Sequence, residues 1–162
     1  MEYRDELYAV VDRFFNEVVM EFGRTNAMGG ERVKKFQPYQ NKNYDDIVRR
    51  FEIHMEQTAL MGMADIEIPE DDEEARKLKS DFYQCRKTFM RLCEGNMQFY
   101  ELQNRKIRRE GATVKEFKEI SLTVSLALNS ARRDMNELEN QYKLMKGVLA
   151  EEPVTEGASQ GK

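Results

Sequence analysis

Residues 75–110, ARKLKSDFYQCRKTFMRLCEGNMQFYELQNRKIRRE, and residues 111–145, GATVKEFKEISLTVSLALNSARRDMNELENQYKLM, decide how this chain folds. In the first stretch Ala75, Leu78, Phe82, Cys85, Phe89, Leu92, Asn96 and Phe99 recur at alternating steps of three and four, the seam of a coiled-coil-like helix. The second repeats that seam in Phe117, Ser121, Val124, Leu128, Ala131, Met135, Leu138, Tyr142 and Met145, and Leu149 continues it. Gly111 marks the stop between them. Thr113 with Glu116 three residues on forms the S/T-x-x-E pattern of a capping box. Two long seams joined by so short a turn must fold back as an antiparallel hairpin.

One local pattern competes with this reading. Ile120, Leu122, Val124, Leu126 and Leu128 alternate with small or polar residues, as a half-buried strand would. Helical flanks and the absence of a second strand to pair with favour the helix. Ser121, Ser125 and Ala131 would then let another helix approach closely. Gly95, inside the first stretch, costs about 1 kcal/mol relative to Ala and suggests a kink or a close helix contact there.

Working outward, the run from Asp65 to Glu74 carries seven acids and no base, with Pro69 where a helix could begin. Acids favour the positive end of a helix dipole, so the run reads as a helix start rather than a metal site. Upstream, Tyr44, Ile47, Val48, Phe51, Met55, Ala59 and Met63 form the apolar stripe of a shorter helix that Asn43 can cap. The first helix shows Tyr3, Leu7, Val10, Val11, Phe14, Phe15, Val18, Val19 and Phe22 on one face, and Gly23 supplies a stop. Between them the segment 24–43, with Gly29, Gly30 and Pro38, lacks a helical period and reads as a long connection.

These readings predict an all-α bundle of about four helices, near 2–22, 44–62, 70–110 and 113–150, dominated by the hairpin. They form one domain over 1–150, followed by a disordered acidic tail at 151–162. The first two helices, each about 30 Å long, would cover only part of a hairpin about 60 Å long, so its tip is expected to project.

Composition narrows the chemistry. The 162 residues hold 26 Lys+Arg against 30 Asp+Glu, a formal charge of −4, so the chain is not a globally basic nucleic-acid coat. The charged N-terminal sequence has no apolar signal-peptide core, and no stretch approaches the roughly 20 apolar residues of a membrane span. A cytoplasmic protein without a membrane partner is therefore expected. Cys85 and Cys93, eight apart on one helix, would lie about 12 Å apart, too far for a disulfide, so both are expected as reduced, buried thiols. The single histidine, His54, excludes two-histidine iron and zinc sites, and its spacing in FEIHMEQ sets it off the stripe as a partly exposed residue. Met55, Met61 and Met63 read as adaptable core packing rather than thioether metal ligands. No phosphate loop, nucleophile elbow or CxxC pair occurs. Neither catalysis nor a cofactor is expected.

Two basic clusters remain. Arg105, Lys106, Arg108, Arg109, Lys115 and Lys118 surround the hairpin turn against only Glu110 and Glu116. In the long connection Arg32, Lys34, Lys35 and Lys42 interleave with Phe36, Tyr39 and Tyr44, a composition able to hold a strand by charge and stacking. The sequence thus suggests a non-catalytic interaction protein: an adaptor, an assembly subunit or an inhibitor. It would bind another macromolecule through helical surfaces and the basic tip, at Arg105, Lys106, Arg108, Arg109, Lys115, Lys118, Lys34, Lys35, Phe36 and Tyr39. A protein is the expected partner. RNA or DNA, bound as a subunit of a ribonucleoprotein or regulatory complex, is the alternative, and self-association is a third way to cover leftover apolar surface.

Overall fold

The computed structural model describes residues 2–35 and 43–148, and these form helices with no strand among them. The first rod is built of α1 (Glu2–Arg13), a π-helical turn (Phe14–Val19) and α2 (Met20–Lys34). It is followed by α3 (Asp45–Leu60), α4 (Glu73–Arg108) and α5 (Val114–Met145). The seam stretches form the expected antiparallel hairpin of α4 and α5, and residues 120–128 are helical. The expected tail at 151–162, Leu149, Phe36, Pro38, Tyr39 and Lys42 lie outside the described residues.

The first rod corrects the sequence reading. Gly23 does not stop it, and residues 24–34 are helix rather than connection. From Glu2 to Lys34 the rod spans about 50 Å, not 30. Leu7, Val11, Phe14, Val18, Phe22, Thr25 and Gly29 are its buried positions. Two successive steps of four, from Phe14 to Val18 to Phe22, each overshoot an α turn by about 40°. The wider i→i+5 turn at Phe14–Val19 absorbs that drift and keeps the aromatic face on the core.

Helix α4 is the central element. Asp72 caps it through a bond from the Ala75 N–H (3.1 Å), and it runs unbroken through Gly95. At Gly95 a Cβ would lie 3.4 Å from Val124 Cγ2, so the two hairpin helices do approach closely there. Ser121 and Ser125, in contrast, face solvent and admit no helix. The hairpin turn is closed by the expected capping box, in which Glu116 N–H donates to Thr113 Oγ1 and Thr113 N–H to Glu116 Oε1, both at 3.1 Å. Helix α5 ends at Met145, short of 150, with Gly147 in the left-handed region at φ 82°.

An aromatic chain runs through the core. Phe14 meets Phe82 and Phe89 edge-on at 5.9 and 5.2 Å between centroids, and Phe22 meets Phe89 and Phe51 at 5.1 and 5.4 Å. Phe51 stacks on Tyr100 at 6.0 Å, and Tyr100 meets Tyr44 at 5.3 Å. Each such pair adds roughly 0.5–1.5 kcal/mol beyond area burial. Cys85 and Cys93 are free and buried, and desolvation pushes the Cys85 thiol up to about 12.

His54 is a second correction: it is 6 % exposed, not partly solvated. Thr25 Oγ1 donates to the Glu21 carbonyl (3.1 Å) and so accepts from His54 Nε2–H (2.8 Å). Nδ1 then holds a buried lone pair without a partner. Burial, opposed by Glu21 and aided by Arg50, lowers the imidazole pKa from its usual 6.5. In the unfolded chain the ring takes a proton below about pH 6.5, while the folded protein resists it. Stability is therefore greatest above that pH and falls as pH drops through it, by up to about 1.4 kcal/mol per unit. Urea unfolding at about pH 7.5, 6.5 and 5.5 checks this. His54→Leu should flatten the dependence in that window, and an unchanged slope would contradict the assignment.

Candidate macromolecule interface

The fold brings the two basic segments to one end of the bundle, and α3 is the bridge. Arg32, in the last turn of α2, grips Asp46 with both terminal nitrogens (2.6 and 2.9 Å) and donates to the Asn43 carbonyl at 2.9 Å. Its guanidinium also lies 5.7 Å from the Tyr44 ring centroid. At the same start of α3, Tyr44 N–H donates to Asn104 Oδ1 (2.6 Å) and Asn104 Nδ2 donates to Asp45 Oδ1 (2.9 Å). Arg108 reaches Asp45 at 3.5 Å. The hairpin end is thus tied to the bundle on the α3 side rather than projecting clear of it. Asn43 is not the cap of α3, a position that Tyr44 occupies without a side-chain bond; Asn43 Oδ1 instead accepts from Asp45 N–H at 3.1 Å, one residue outside it.

These contacts divide the bases into two groups. Arg32, Arg105 and Arg108 hold structure: Arg105 pairs with Glu116 (2.9 Å) and donates to the Gly111 carbonyl (3.3 Å). The Arg105 guanidinium, with the Thr113 N–H, holds the Glu116 carboxyl below its usual range, and Arg32 does the same to Asp46. Lys35 closes onto Glu31 at 2.9 Å. Lys34, Lys106, Arg109, Lys115 and Lys118 are exposed and have no carboxylate within salt-bridge range among the described residues. Lys106 lies over the Phe117 ring at 5.8 Å, which leaves its charge undiminished. Over 31–35, 43–46 and 105–118 nine bases face five acids. This end is locally +4 on a chain that is −4 overall.

Arg109 carries the sharpest local feature. It is the sole non-glycine residue with positive φ among the described residues, at 60°. Its N–H donates to the Lys106 carbonyl (3.1 Å) and Glu110 N–H donates to Arg105 (2.9 Å), the paired bonds of a Schellman ending. That position favours glycine, and a side chain there costs roughly 1–2 kcal/mol. An arginine is held at the tip where a glycine would be more stable.

No group of three or more His, Cys, Asp or Glu among the described residues is placed to hold a metal ion. None of their helices is long and apolar enough to cross a membrane. No protein-family model, curated protein or solved structure matches the chain.

Proposed function

We propose that this chain is a non-catalytic interaction protein, an adaptor, assembly subunit or inhibitor, that binds an acidic surface of a protein partner through the basic end of its bundle. The observation that carries the reading is the meeting of two basic segments, far apart in sequence, around α3. It leaves Lys34, Lys106, Arg109, Lys115 and Lys118 without carboxylate partners among the described residues. Unpaired, exposed cations on rigid helix ends steer and orient an acidic partner more than they add affinity. Nucleic acid is the second reading, because the same cations suit phosphates.

The variants follow from the contacts. Reversing Arg105 or Arg108 would break the pairs with Glu116 and Asp45 and confuse binding with folding. Arg109→Gly removes a charge while relieving the left-handed backbone, so it should raise stability by about 1 kcal/mol. Lys118→Glu is an exposed change near the start of α5, where an acid is favoured. The combined variant should bind a fluorescent poly-glutamate probe at least about tenfold more weakly, a loss of about 1.4 kcal/mol, with full helicity retained. A single-stranded RNA or DNA probe run alongside separates the readings, since phosphate release gives a logarithmic salt slope of roughly 0.7 per contact. Tight, salt-sensitive binding of nucleic acid alone would favour the second reading. Binding of neither probe, or binding indifferent to both substitutions, would overturn the proposed site.

A further inference from the structure

The outward face of α5 carries a pattern that the basic end shares only at Lys115. Leu122 and Leu126 are 62 % and 58 % exposed, one turn apart, on the side of α5 away from Val124 and its contact with α4. Along the same face, at steps that keep the helical register, stand Lys115 and Glu119 before them and Arg133 and Glu137 after them, all exposed. Glu137 approaches Lys77 only to 3.9 Å, and the one ion pair of Arg133 among the described residues is with its neighbour Asp134 at 3.2 Å.

The order of these residues is self-complementary. If a second α5 is laid antiparallel with Leu126 opposite its own copy, Glu119 seven residues before meets Arg133 seven residues after. Lys115, eleven before, likewise meets Glu137, eleven after. A two-fold axis repeats each pair, giving four opposite-charge pairs flanking a leucine centre, the arrangement an isologous contact requires. A parallel alignment would instead set each charge against itself.

The geometry points to a second copy of this chain as the occupant of this face, joined through antiparallel α5 helices centred on Leu126. The stripe from 115 to 137 is about 33 Å long and one helix wide. It is smaller than the roughly 800 Å² per partner of a standard interface, so the dimer is weak and forms at high concentration. Because its charged pairs are at the surface, it weakens as salt rises. This contact does not depend on the basic end: Lys115 lies where the two surfaces adjoin, but Glu119, Leu126 and Arg133 belong to this one alone.

Sedimentation equilibrium of the full chain, from about 5 to 500 µM at low salt, reads the average mass directly, over a span that reaches the weak end of specific association. Wild type should move from monomer toward dimer across that span and return to monomer at about 1 M salt, where the screening length is near 3 Å. Glu119→Arg and Arg133→Glu should each hold the chain monomeric, because each sets like charges opposite one another. The double variant Glu119→Arg/Arg133→Glu restores opposite charges and should recover the wild-type mass. Leu126→Gln, which leaves every charge in place, should also be monomeric, and circular dichroism should show all four variants folded. A wild type that stays monomeric throughout, a dimer that the single reversals do not weaken, or a double variant that fails to recover would each overturn the proposal. The first of these would leave the face to a different partner.

Discussion

Gly29→Ala should destabilise the protein by about 2 kcal/mol, while Gly30→Ala, one residue on, should stabilise it by up to about 1. Both glycines lie inside α2, where alanine is intrinsically favoured. At Gly30 a Cβ would meet nothing within 4 Å, so the propensity gain is realised. At Gly29 it would intrude on Tyr100 Oη and lie 2.5 Å from Cζ. The tyrosine cannot swing aside cheaply: it is 4 % exposed and held by Phe51, Tyr44 and Phe99 at centroid distances of 6.0, 5.3 and 5.0 Å. Overpacking of about 1–3 kcal/mol, with weakened aromatic contacts, outweighs the helical gain. Denaturant unfolding of both variants measures the opposite signs. Tyr100→Leu combined with Gly29→Ala should show a coupling of about 1 kcal/mol or more, since the smaller side chain opens the space. Equal effects at the two glycines would refute the packing account.

That contrast also shows where the sequence was legible. The α4 seam could be read from spacing because its partners are the next helix and the core in general, and Ala75, Leu78, Phe82, Cys85, Phe89 and Leu92 are all buried. Glycines were misread because their purpose is not local. Gly29 faces a tyrosine 71 positions away, and no pattern within residues 24–43 records that.

His54 failed for a related reason. Tyr44, Ile47, Phe51, His54 and Thr58 keep steps of three and four and are all buried. The stripe read through Met55 and Ala59 sets His54 aside, whereas the buried face turns through His54 and Thr58, and the partner that accommodates His54 is Thr25, in the segment read as a connection.

The alternation at 120–128 that resembled a strand had a different physical cause. Val124 and Leu128 pack inward while Leu122 and Leu126 face solvent, so a helix with apolar residues on opposite sides imitates a period of two. At the basic end the bases themselves could be counted from the sequence. Which of them are neutralised could not, because the carboxylates that pair with Arg32 and Arg108 arrive on α3.

The staple at the opposite end of the bundle gives the largest stability effect. Asp72 does two jobs at once. Its carboxylate caps α4 through Ala75 N–H and also binds Arg4 of α1 with two bonds, Nη2 to Oδ1 at 2.7 Å and Nε to Oδ2 at 2.9 Å. Tyr3 donates a further hydrogen bond to Oδ2. The side chain is 8 % exposed and that of Arg4 20 %, so this pair is far less screened than an ordinary surface bridge. Losing a cap costs about 1 kcal/mol, and removing one partner of a largely buried pair costs more, because the other charge is left behind. Asp72→Ala should therefore destabilise the protein by about 3 kcal/mol. Asp72→Asn keeps a capping oxygen and should cost less, and the difference isolates the Arg4 link. Arg4→Ala combined with Asp72→Ala should cost clearly less than the separate effects added together. The pH dependence has a definite sign. Arg4 first, and then Tyr3 and the Ala75 N–H, hold the Asp72 carboxyl far below its usual range against the cost of its burial. Its contribution is present above the unfolded value of about 3.9 and is lost as pH falls through and below it. Acid unfolding should consequently show two separate losses, one below about pH 6.5 that His54→Leu removes and one below about pH 4 that Asp72→Asn removes. A single transition insensitive to either substitution would show that neither buried contact governs the fold's response to acid.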